Sequence, residues 1–329
     1  MLNAKKNIYM VRKFLLIVFA MLVPLMSSSK IFKSSKCSLR WCTFNIRLQN
    51  DTDEKAGVGW SVRKDRVANY IKANHIDVVG MQEVLHPQLE DLLARLPEYD
   101  YVGVGRTDGA TKGEYSPIFF LRDKFEVLEK GNFWLSETPD VPGSKGWDAA
   151  LERIASYAKL KDKATGKVFM AVNTHFDHVG VVARRESAKL IMRKIQEIVG
   201  KRPAVVTGDF NVTENDEAYK TMIGQQTTDK QRSTAEGKVN GQQTGKKSSK
   251  GKSTNCQIVK LYDAYHMTSN HTGPTYTWHD YCHIPPSEAE KIDFIFITPT
   301  IRVNHTHIEE PNPEALLTDH NPHWADLEF

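Results

Sequence analysis

The segment PAVVTGDFN, residues 203–211, joins a short apolar run to two polar residues that directly follow it. Residues 203–208 have the length and composition of a buried β-strand, and Asp209 and Asn211 come just after its carboxyl end. In layered α/β folds, the carboxyl ends of strands support ligand-binding side chains. The segment therefore predicts a strand of an inner sheet with a polar site at its end.

The same arrangement recurs along the chain. Polar side chains end three more apolar runs and occupy one late loop: Asn45 in LRWCTFNI, Glu83 after IDVVGM, His175 after KVFMAVNT, and Asp319 with His320 near the C-terminus. Because each position follows a rigid element, we expect these side chains to converge on one site although they are far apart in sequence.

Strand and helix patterns alternate through the rest of the chain, with no convincing linker between them. Further strands are predicted over residues 99–105, 116–121, 125–130, 155–161, 291–298 and 301–308, and helices over residues 61–74, 89–96 and 183–199. The hydrophobic content of 40% is sufficient for a packed core. We therefore predict one α/β domain rather than two.

Residues 1–29 have the composition of a secretory signal peptide. A basic start precedes an apolar run and three small residues: Lys5, Lys6, Arg12 and Lys13, then residues 14–26, then Ser27, Ser28 and Ser29. The run is shorter than the roughly 20 residues of a membrane-spanning helix. We expect cleavage, export to the periplasm or the extracellular space of a bacterium, and no stable membrane insertion afterwards. An uncleaved N-terminal anchor is the alternative.

The charge distribution argues against a protein that coats duplex nucleic acid. The chain has a net charge of +4, and removing the four cations of residues 1–29 leaves 4 − 4 = 0. Residues 224–257 carry seven Lys or Arg against two Asp or Glu, so the remaining mature chain has a net charge of about −5. The same segment is rich in Gly, Gln, Ser and Thr, which predicts a mobile polar insertion. It is either a solvated loop or a surface that contacts an anionic substrate.

The four cysteines, Cys37, Cys42, Cys256 and Cys282, form no C-x-x-C pair, which argues against a cysteine-based zinc site. An exported protein can form disulfides. Cys256 could pair with Cys282 across the insertion, but the spacing does not settle the pairing.

Six short motifs follow one another in a fixed order: FNIR (44–47), QEV (82–84), NTHFDH (173–178), GDFN (208–211), KIDFIF (291–296) and TDHNP (318–322). Each is weak alone, but together they cover nearly the whole chain after residue 29. In this the chain resembles the endonuclease/exonuclease/phosphatase superfamily, which includes deoxyribonuclease I, deadenylases and neutral sphingomyelinases. The FNIR form of the first motif is similar to the form found in a secreted bacterial branch of this superfamily, near its deadenylase-like and nocturnin-like members. Abasic-site endonucleases carry an acidic residue where this chain has Arg47, which argues against that activity.

The resemblance implies a deoxyribonuclease I-like four-layer α/β sandwich, that is, a two-sheet β-sandwich flanked by helices, with the active site at one edge. It also implies hydrolysis of phosphoester bonds with Mg²⁺ or Mn²⁺. Five residues are expected to be catalytic: Asp209 to activate the attacking water, Asn211 to hold that water or a phosphoryl oxygen, His175 and His320 to donate to phosphoryl oxygens, and Asp293 to orient His320.

The metal is expected to bind at Glu83, with Asn45 as a ligand or a supporting group. Asp319 is expected either to reach a second metal or to orient a histidine. Substrate contacts are predicted for three residues: Arg47 as a bidentate phosphate donor, Tyr115 in GEYSPIFF, and His178. Purely structural roles for Tyr115 and His178 are equally open.

The resulting hypothesis is a metal-dependent phosphodiesterase or phosphatase that prefers a small sugar, lipid-headgroup or nucleotide phosphoester to duplex DNA. A secreted nuclease is the first alternative, which leaves nucleic acid open as a partner. A non-catalytic binding protein on the same scaffold is the second. No motif indicates a protein partner, and no H-E-x-x-H pattern indicates a zinc enzyme.

Overall fold

The computed structural model describes residues 36–200, 202–225 and 259–329. In these ranges two β-sheets pack face to face and helices cover both outer faces, which confirms the predicted four-layer α/β sandwich. The predicted signal peptide and most of the predicted insertion, residues 226–257, lie outside the described residues.

The described ranges contain thirteen strands. In chain order they are β1 (Ser38–Asn45), β2 (Val78–Gln82), β3 (Tyr99–Val102), β4 (Ile118–Leu121), β5 (Phe125–Trp134), β6 (Ile154–Asp162), β7 (Val168–His175), β8 (Ala204–Asp209), β9 (Tyr262–Asp263), β10 (His271–Thr272), β11 (Asp293–Ile297), β12 (Arg302–Ile308) and β13 (His323–Glu328). The α-helices are α1 (Asp51–Lys55), α2 (Trp60–Ala73), α3 (His86–Arg95), α4 (Val181–Val199) and α5 (Glu217–Met222).

Each sheet has a pair of parallel strands at its centre with an antiparallel neighbour on both sides, and β10 is parallel to β12 at one edge of the first sheet. The first sheet has the order β10-β12-β13-β1-β2-β4-β3, in which β1 and β2 are parallel. The second has the order β5-β6-β7-β8-β11-β9, in which β7 and β8 are parallel. Helices α1 and α2 connect the first parallel pair and α4 connects the second, as parallel strands require a crossover.

Three apolar clusters hold the layers together. Between the sheets lies one cluster that includes Trp41, Val78, Phe120, Phe169 and Val205. Two further clusters pack α2 and α3 on the first sheet and α4 and α5 on the second. Burial on both faces explains why β2, β8 and β11 have near-continuous apolar sequences rather than alternating ones.

A polar contact joins the two sheets just beneath the ends of the parallel pairs. Asn173 of β7 accepts a hydrogen bond from Gln82 Nε2 at 2.7 Å and donates one to the carbonyl of Met81 at 2.6 Å. The sheets approach closely here, because a Cβ added at Gly80 would lie 2.2 Å from Thr207 Oγ1. The two parallel pairs therefore lie directly opposite each other.

Most predicted elements are confirmed within a few residues, but β9, β10, β13, α1 and α5 were not predicted from the sequence. The β13 segment HWADLE mixes apolar with acidic residues, yet it is paired on both sides, with β1 and with β12. Its strand character depends on these neighbours rather than on its own pattern.

Cys37 and Cys42 are buried free thiols, and Cys256, the suggested partner of Cys282, lies outside the described residues. Among the helices that the structure describes, none is long and apolar enough to cross a membrane.

Candidate active site

The predicted site residues meet at one edge of the sandwich because of how the strands pair. Asn45 and His175 end β1 and β7, and Asp209 ends β8. Antiparallel neighbours bring their amino ends to the same edge, so Asp293 at the start of β11 lies opposite Asp209. His320 reaches this edge because it lies three residues before β13, which is antiparallel to β1.

On the first sheet, Asn45 connects the acids of the two sheets. Its Nδ2 donates to Glu83 Oε1 at 3.0 Å and to Asp209 Oδ2 at 2.9 Å. Its Oδ1 accepts the backbone N–H of Arg47 at 3.0 Å. Glu83 also accepts the backbone N–H of Leu48 at 3.1 Å. Both ends of the Asn45 amide are therefore occupied, and its contacts orient the two carboxylates.

Arg47 is held at the edge of the site by two acids. Its Nε donates to Asp53 Oδ2 at 3.1 Å, and its Nη1 lies 3.6 Å from Asp319 Oδ2. The other carboxylate oxygen of Asp319 accepts the hydroxyl of Thr318 at 2.9 Å. Asp319 thus contacts a cation and a hydroxyl, and it orients no histidine.

On the second sheet, Asp209, Asn211 and His175 form a connected group. Asn211 donates its backbone N–H to Asp209 Oδ1 at 2.9 Å and its Nδ2 lies 3.0 Å from His175 Nε2. Because an amide nitrogen can only donate, His175 Nε2 is the acceptor and Nδ1 carries the ring proton. His175 Nε2 also lies 3.5 Å from Asp209 Oδ2.

His320 and Asp293 form the ion pair that the sequence predicted. Asp293 Oδ2 accepts from His320 Nδ1 at 2.8 Å, which leaves Nε2 facing the site, 3.8 Å from Asp209 Oδ2. Both side chains are buried. The carboxylate fixes the tautomer and the direction of the imidazole.

Burial and neighbouring charges separate the proton affinities of these groups. Burial, together with the carboxylate of Asp293, raises the pKa of Asp209 to about 7. Burial alone would lower the pKa of His320, but the charge and hydrogen bond of Asp293 outweigh it and raise the pKa to about 10. Burial and the charge of Arg153 lower the pKa of His175 well below its ordinary value. At neutral pH the site thus combines a protonated His320 with a neutral His175 and a titrating Asp209.

Glu83, His175, Asp209, Asn211 and His320 line a pocket of about 420 Å³, together with Arg47, Arg153 and Trp278. Two groups in it have ligand atoms within 4.8 Å of one another and could hold a metal ion: Glu83, His175 and Asp209, and Asp209, Asp293 and His320. Asp209 belongs to both groups, so it occupies the centre of the site.

Three residues that shape the pocket have left-handed backbone conformations. Arg47, Glu83 and Asn211 have φ values of 56°, 62° and 49°. Each follows the end of a strand by one or two residues. Such conformations are strained for residues other than glycine and cluster at functional sites. Here they turn the chain sharply as it leaves β1, β2 and β8.

The sequence profile of the endonuclease/exonuclease/phosphatase family matches residues 42–320. The chain belongs to this family. The match confirms the predicted resemblance, and it includes every residue of the site.

Solved structures of Bacteroides members of the endonuclease/exonuclease/phosphatase family are similar over most of the chain. A family member from Bacteroides vulgatus is 51% identical over 88% of this chain and 98% of its own, with a TM-score of 0.77. The mannosyl-6-phosphatase Bt3783 of Bacteroides thetaiotaomicron is 34% identical over 88% of this chain and 100% of its own, with a TM-score of 0.73.

Curated family relatives match a shorter region. Nocturnin of Drosophila melanogaster is 25% identical over 178 residues, which are 50% of this chain and 26% of nocturnin. The chain spans less than two thirds of the length of the first curated relatives that it matches. Family members include phosphoester hydrolases and nucleases, and the candidate site lies where the family motifs occur.

The structure brings together ten of the eleven predicted site residues of this family member. Eight of them line the pocket: Arg47, Glu83, His175, His178, Asp209, Asn211, Asp319 and His320. Asn45 and Asp293 lie directly behind this wall, through their contacts with Asp209 and His320.

Tyr115 is the predicted residue that the structure places elsewhere. Its side chain is buried, and its hydroxyl donates to the carbonyl of Ala110 at 3.0 Å and lies 3.2 Å from His86 Nδ1. It does not line the pocket. These contacts favour the structural alternative, in which Tyr115 anchors the loop before β4.

Three residues that were not among the predicted site residues also line the pocket: Arg153, Leu151 and Glu290. Arg153 immediately precedes β6, whose Ala155 pairs with Thr174 of the antiparallel β7. The start of β6 therefore lies beside His175 at the end of β7. Recognising that β6 and β7 form an antiparallel pair would have indicated this position, since a strand's amino end then meets its neighbour's carboxyl end.

Proposed function

We propose that this family member is a divalent-metal-dependent hydrolase of small phosphoesters that uses Mg²⁺ or Mn²⁺. The observation that carries the proposal is the convergence of Glu83, His175 and Asp209 within one pocket beside the His320–Asp293 pair. Phosphoester hydrolysis needs charge neutralisation, an activated water and donors to the phosphoryl oxygens, and this group contains a residue suited to each.

The donor set fits a hard divalent cation. Glu83 and Asp209 are two carboxylates that share one amide donor, Asn45 Nδ2, and both are largely buried. Two such carboxylates close together favour a bound cation. Carboxylate oxygens suit Mg²⁺ and Mn²⁺, and the neutral imidazole of His175 would be compatible with Mn²⁺ if its Nε2 were released from Asn211. When bound, the ion would neutralise charge on the phosphoryl group.

The chain's own residues supply proton transfer and orientation. Asp209, whose pKa is raised to about 7, is suited to accept a proton from the attacking water near neutral pH. Asn211 keeps one carboxylate oxygen of Asp209 in place through its backbone N–H. Protonated His320, oriented by Asp293, would donate from Nε2 to a phosphoryl oxygen and stabilise the charge that develops there.

Two features of the pocket favour a small, hydroxyl-bearing substrate over duplex DNA. The carboxylate of Glu290 lines the pocket and has no hydrogen-bond or ion-pair partner among the residues that the structure describes. A free carboxylate repels a polyanion but accepts hydrogen bonds from hydroxyl groups. Trp278, which pairs with Glu290 across a β-bridge, adds an aromatic side chain to the same wall. A sugar phosphate fits this chemistry, and the similar Bt3783 is a mannosyl-6-phosphatase.

A phosphoester panel with Mg²⁺, Mn²⁺ and EDTA tests the proposed activity. The panel contains p-nitrophenyl phosphate, mannose 6-phosphate, glycerol 3-phosphate, AMP, a DNA duplex and single-stranded RNA. We expect hydrolysis of the small esters that EDTA abolishes. Cleavage confined to the nucleic acids, and weakened steeply by salt, would instead establish the nuclease alternative. No hydrolysis and no metal binding by calorimetry would establish the non-catalytic alternative.

Glu83→Gln tests the metal site separately from the chemistry. We expect metal affinity to fall by about 10- to 100-fold, with activity partly restored at high Mn²⁺. Glu98→Gln, an exposed acid outside the pocket, is the matched control. Unchanged metal affinity by calorimetry in Glu83→Gln would remove Glu83 from the metal site.

Export remains a proposal that rests on the composition of residues 1–29. Fractionation of the native host, with N-terminal sequencing of the mature protein, tests it. A cytoplasmic protein that keeps residues 1–29 would refute it.

A further inference from the structure

Arg153 forms a part of the pocket wall that the proposed chemistry does not use. It is only 4% exposed, yet it lines the pocket beside His175 and His178. The pairing of Ala155 with Thr174 places it at the end of β7, and its charge is one of the causes that lower the pKa of His175. Arg153 is therefore close to the reacting groups.

The guanidinium of Arg153 has fewer partners than its burial requires. Its Nη2 lies 2.9 Å from His178 Nδ1, and its Nε contacts Asp177 Oδ2 at 3.4 Å. Its Nη1 is shielded from solvent and has no hydrogen-bond partner among the residues that the structure describes. A buried cation with an unpaired donor is energetically costly, so native structures rarely contain one without a reason.

Asp177 satisfies this cation only in part, because its oxygens are shared between the long contact with Arg153 Nε and four backbone donors. It accepts the backbone N–H groups of Ala150, Leu151, Val179 and Gly180 at 2.7 to 3.2 Å. Asp177 thus ties together the loops before β6 and α4. The loops in turn hold Arg153 in a fixed position with one donor unused.

Within the described part of the chain, two nitrogen atoms near this side of the pocket also lack a hydrogen-bond partner: Nδ1 of His175, which lines the pocket, and Nε of Arg106, which does not. Arg106 and His175 flank Glu114, which forms a two-point ion pair with Arg106 and lies 3.9 Å from His175 Nδ1. A concentration of unused donors beside a pocket indicates a place for an acceptor-rich, anionic group.

We propose that Arg153, assisted by His178, binds the non-bridging oxygens of a terminal phosphate, so that the enzyme is a phosphomonoesterase rather than a phosphodiesterase. This inference rests on the proposed function. A monoester presents three non-bridging oxygens and close to two negative charges. A diester presents two such oxygens and one charge, and it would have to place its second ester group where these donors lie.

Arg153→Met tests this assignment with two substrates that release the same chromophore, p-nitrophenyl phosphate and bis(p-nitrophenyl) phosphate. The wild-type protein is expected to prefer the monoester. The variant is expected to lose about 100-fold in kcat/KM for the monoester and less than threefold for the diester. Arg122→Met, an exposed arginine away from the pocket, is the matched control.

Three results would overturn the assignment: a wild-type preference for the diester, an equal loss on both substrates, or a monoester rate unaffected by the substitution. Thermal melting shows whether Arg153→Met is folded. If it is not, Arg153→Lys keeps the charge but loses the planar donor pair, and its inhibition constant for inorganic phosphate is expected to rise about tenfold. An unchanged constant would contradict the proposal.

The two proposals can fail separately. If the wild-type protein hydrolyses neither ester with Mg²⁺ or Mn²⁺, the proposed function fails. Binding of inorganic phosphate, measured by calorimetry on the wild-type protein and Arg153→Lys, then still reports whether Arg153 forms a phosphate site.

Discussion

The two parallel strand pairs, β1–β2 and β7–β8, are built alike but end in different chemistry. Each pair is central in its sheet, is flanked by antiparallel strands and is covered by helices on its outer face. The first pair ends in the amide of Asn45 and, one residue beyond β2, the carboxylate of Glu83. The second ends in His175 and Asp209, with Asp293 beside them on β11.

The difference between the two ends lies in burial and neighbours. Glu83 is 9% exposed and is held by hydrogen-bond donors alone, the Asn45 amide and the Leu48 N–H. Asp209 is 2% exposed and faces a second carboxylate, so its pKa is raised to about 7. Two strand pairs of the same topology can therefore have different roles, a cation-binding end at Glu83 and a proton-transfer end at Asp209, because the environment of each acid sets its role.

The largest expected effect follows from removing the proton acceptor of the β7–β8 end. Asp209→Asn is expected to lower kcat by about 1,000-fold or more with the fold intact, because an amide fills the same space but cannot accept the proton. Stopped assays with p-nitrophenyl phosphate and melting curves measure both properties. His320→Ala is expected to have a comparable effect, and the double variant little more than either alone, since the two act as a unit. Full activity in Asp209→Asn would remove the proposed mechanism.

An intermediate effect is expected from breaking the contact between the two ends. Asn45→Ala removes the amide that donates to both Glu83 and Asp209. We expect a loss of about 10- to 100-fold in kcat/KM together with weaker metal binding, as is usual for groups that orient ligands. Asn304→Ala, an exposed position on β12, is the control. Wild-type kinetics in Asn45→Ala would show that the two ends work independently.

The smallest effect concerns His323, a side chain of the first sheet that is buried near charged residues of the second. Burial and the charge of Lys291 lower the pKa of His323 to about 4. In the unfolded chain the same histidine has a pKa of about 6.5. Between pH 6.5 and pH 4 the unfolded chain therefore binds a proton at this position that the folded chain does not. The free energy of unfolding should therefore fall as the pH drops from about 6.5 to 4, by up to about 3 kcal/mol from this residue.

His323→Gln is expected to flatten this part of the stability profile. Urea unfolding at pH 7 and pH 4.5 measures it, and His283→Gln, a largely exposed histidine, is the control. An identical pH dependence in His323→Gln and the wild-type protein would show that His323 does not titrate in this range.

The sequence predicted which residue types form the site more accurately than it predicted their contacts. It assigned Asp293 as the partner of His320, and the structure confirms this pair. It predicted that Asp319 either reaches a second metal or orients a histidine. In the structure Asp319 contacts Arg47 and Thr318. That His175 donates to phosphate stays a prediction; in the structure its Nε2 accepts from Asn211 and lies among the possible metal ligands.

From the sequence alone come the α/β class, most strands and helices, and the polar residues at the strand ends. These follow from local properties, because an apolar run and its polar end report burial along one segment. The tertiary structure decided that Arg153 enters the site, that Tyr115 does not, and that HWADLE forms β13. These depend on contacts between separate segments, such as the pairing of Ala155 with Thr174 and of Ser38 with Glu328, which leave no periodic trace in either segment.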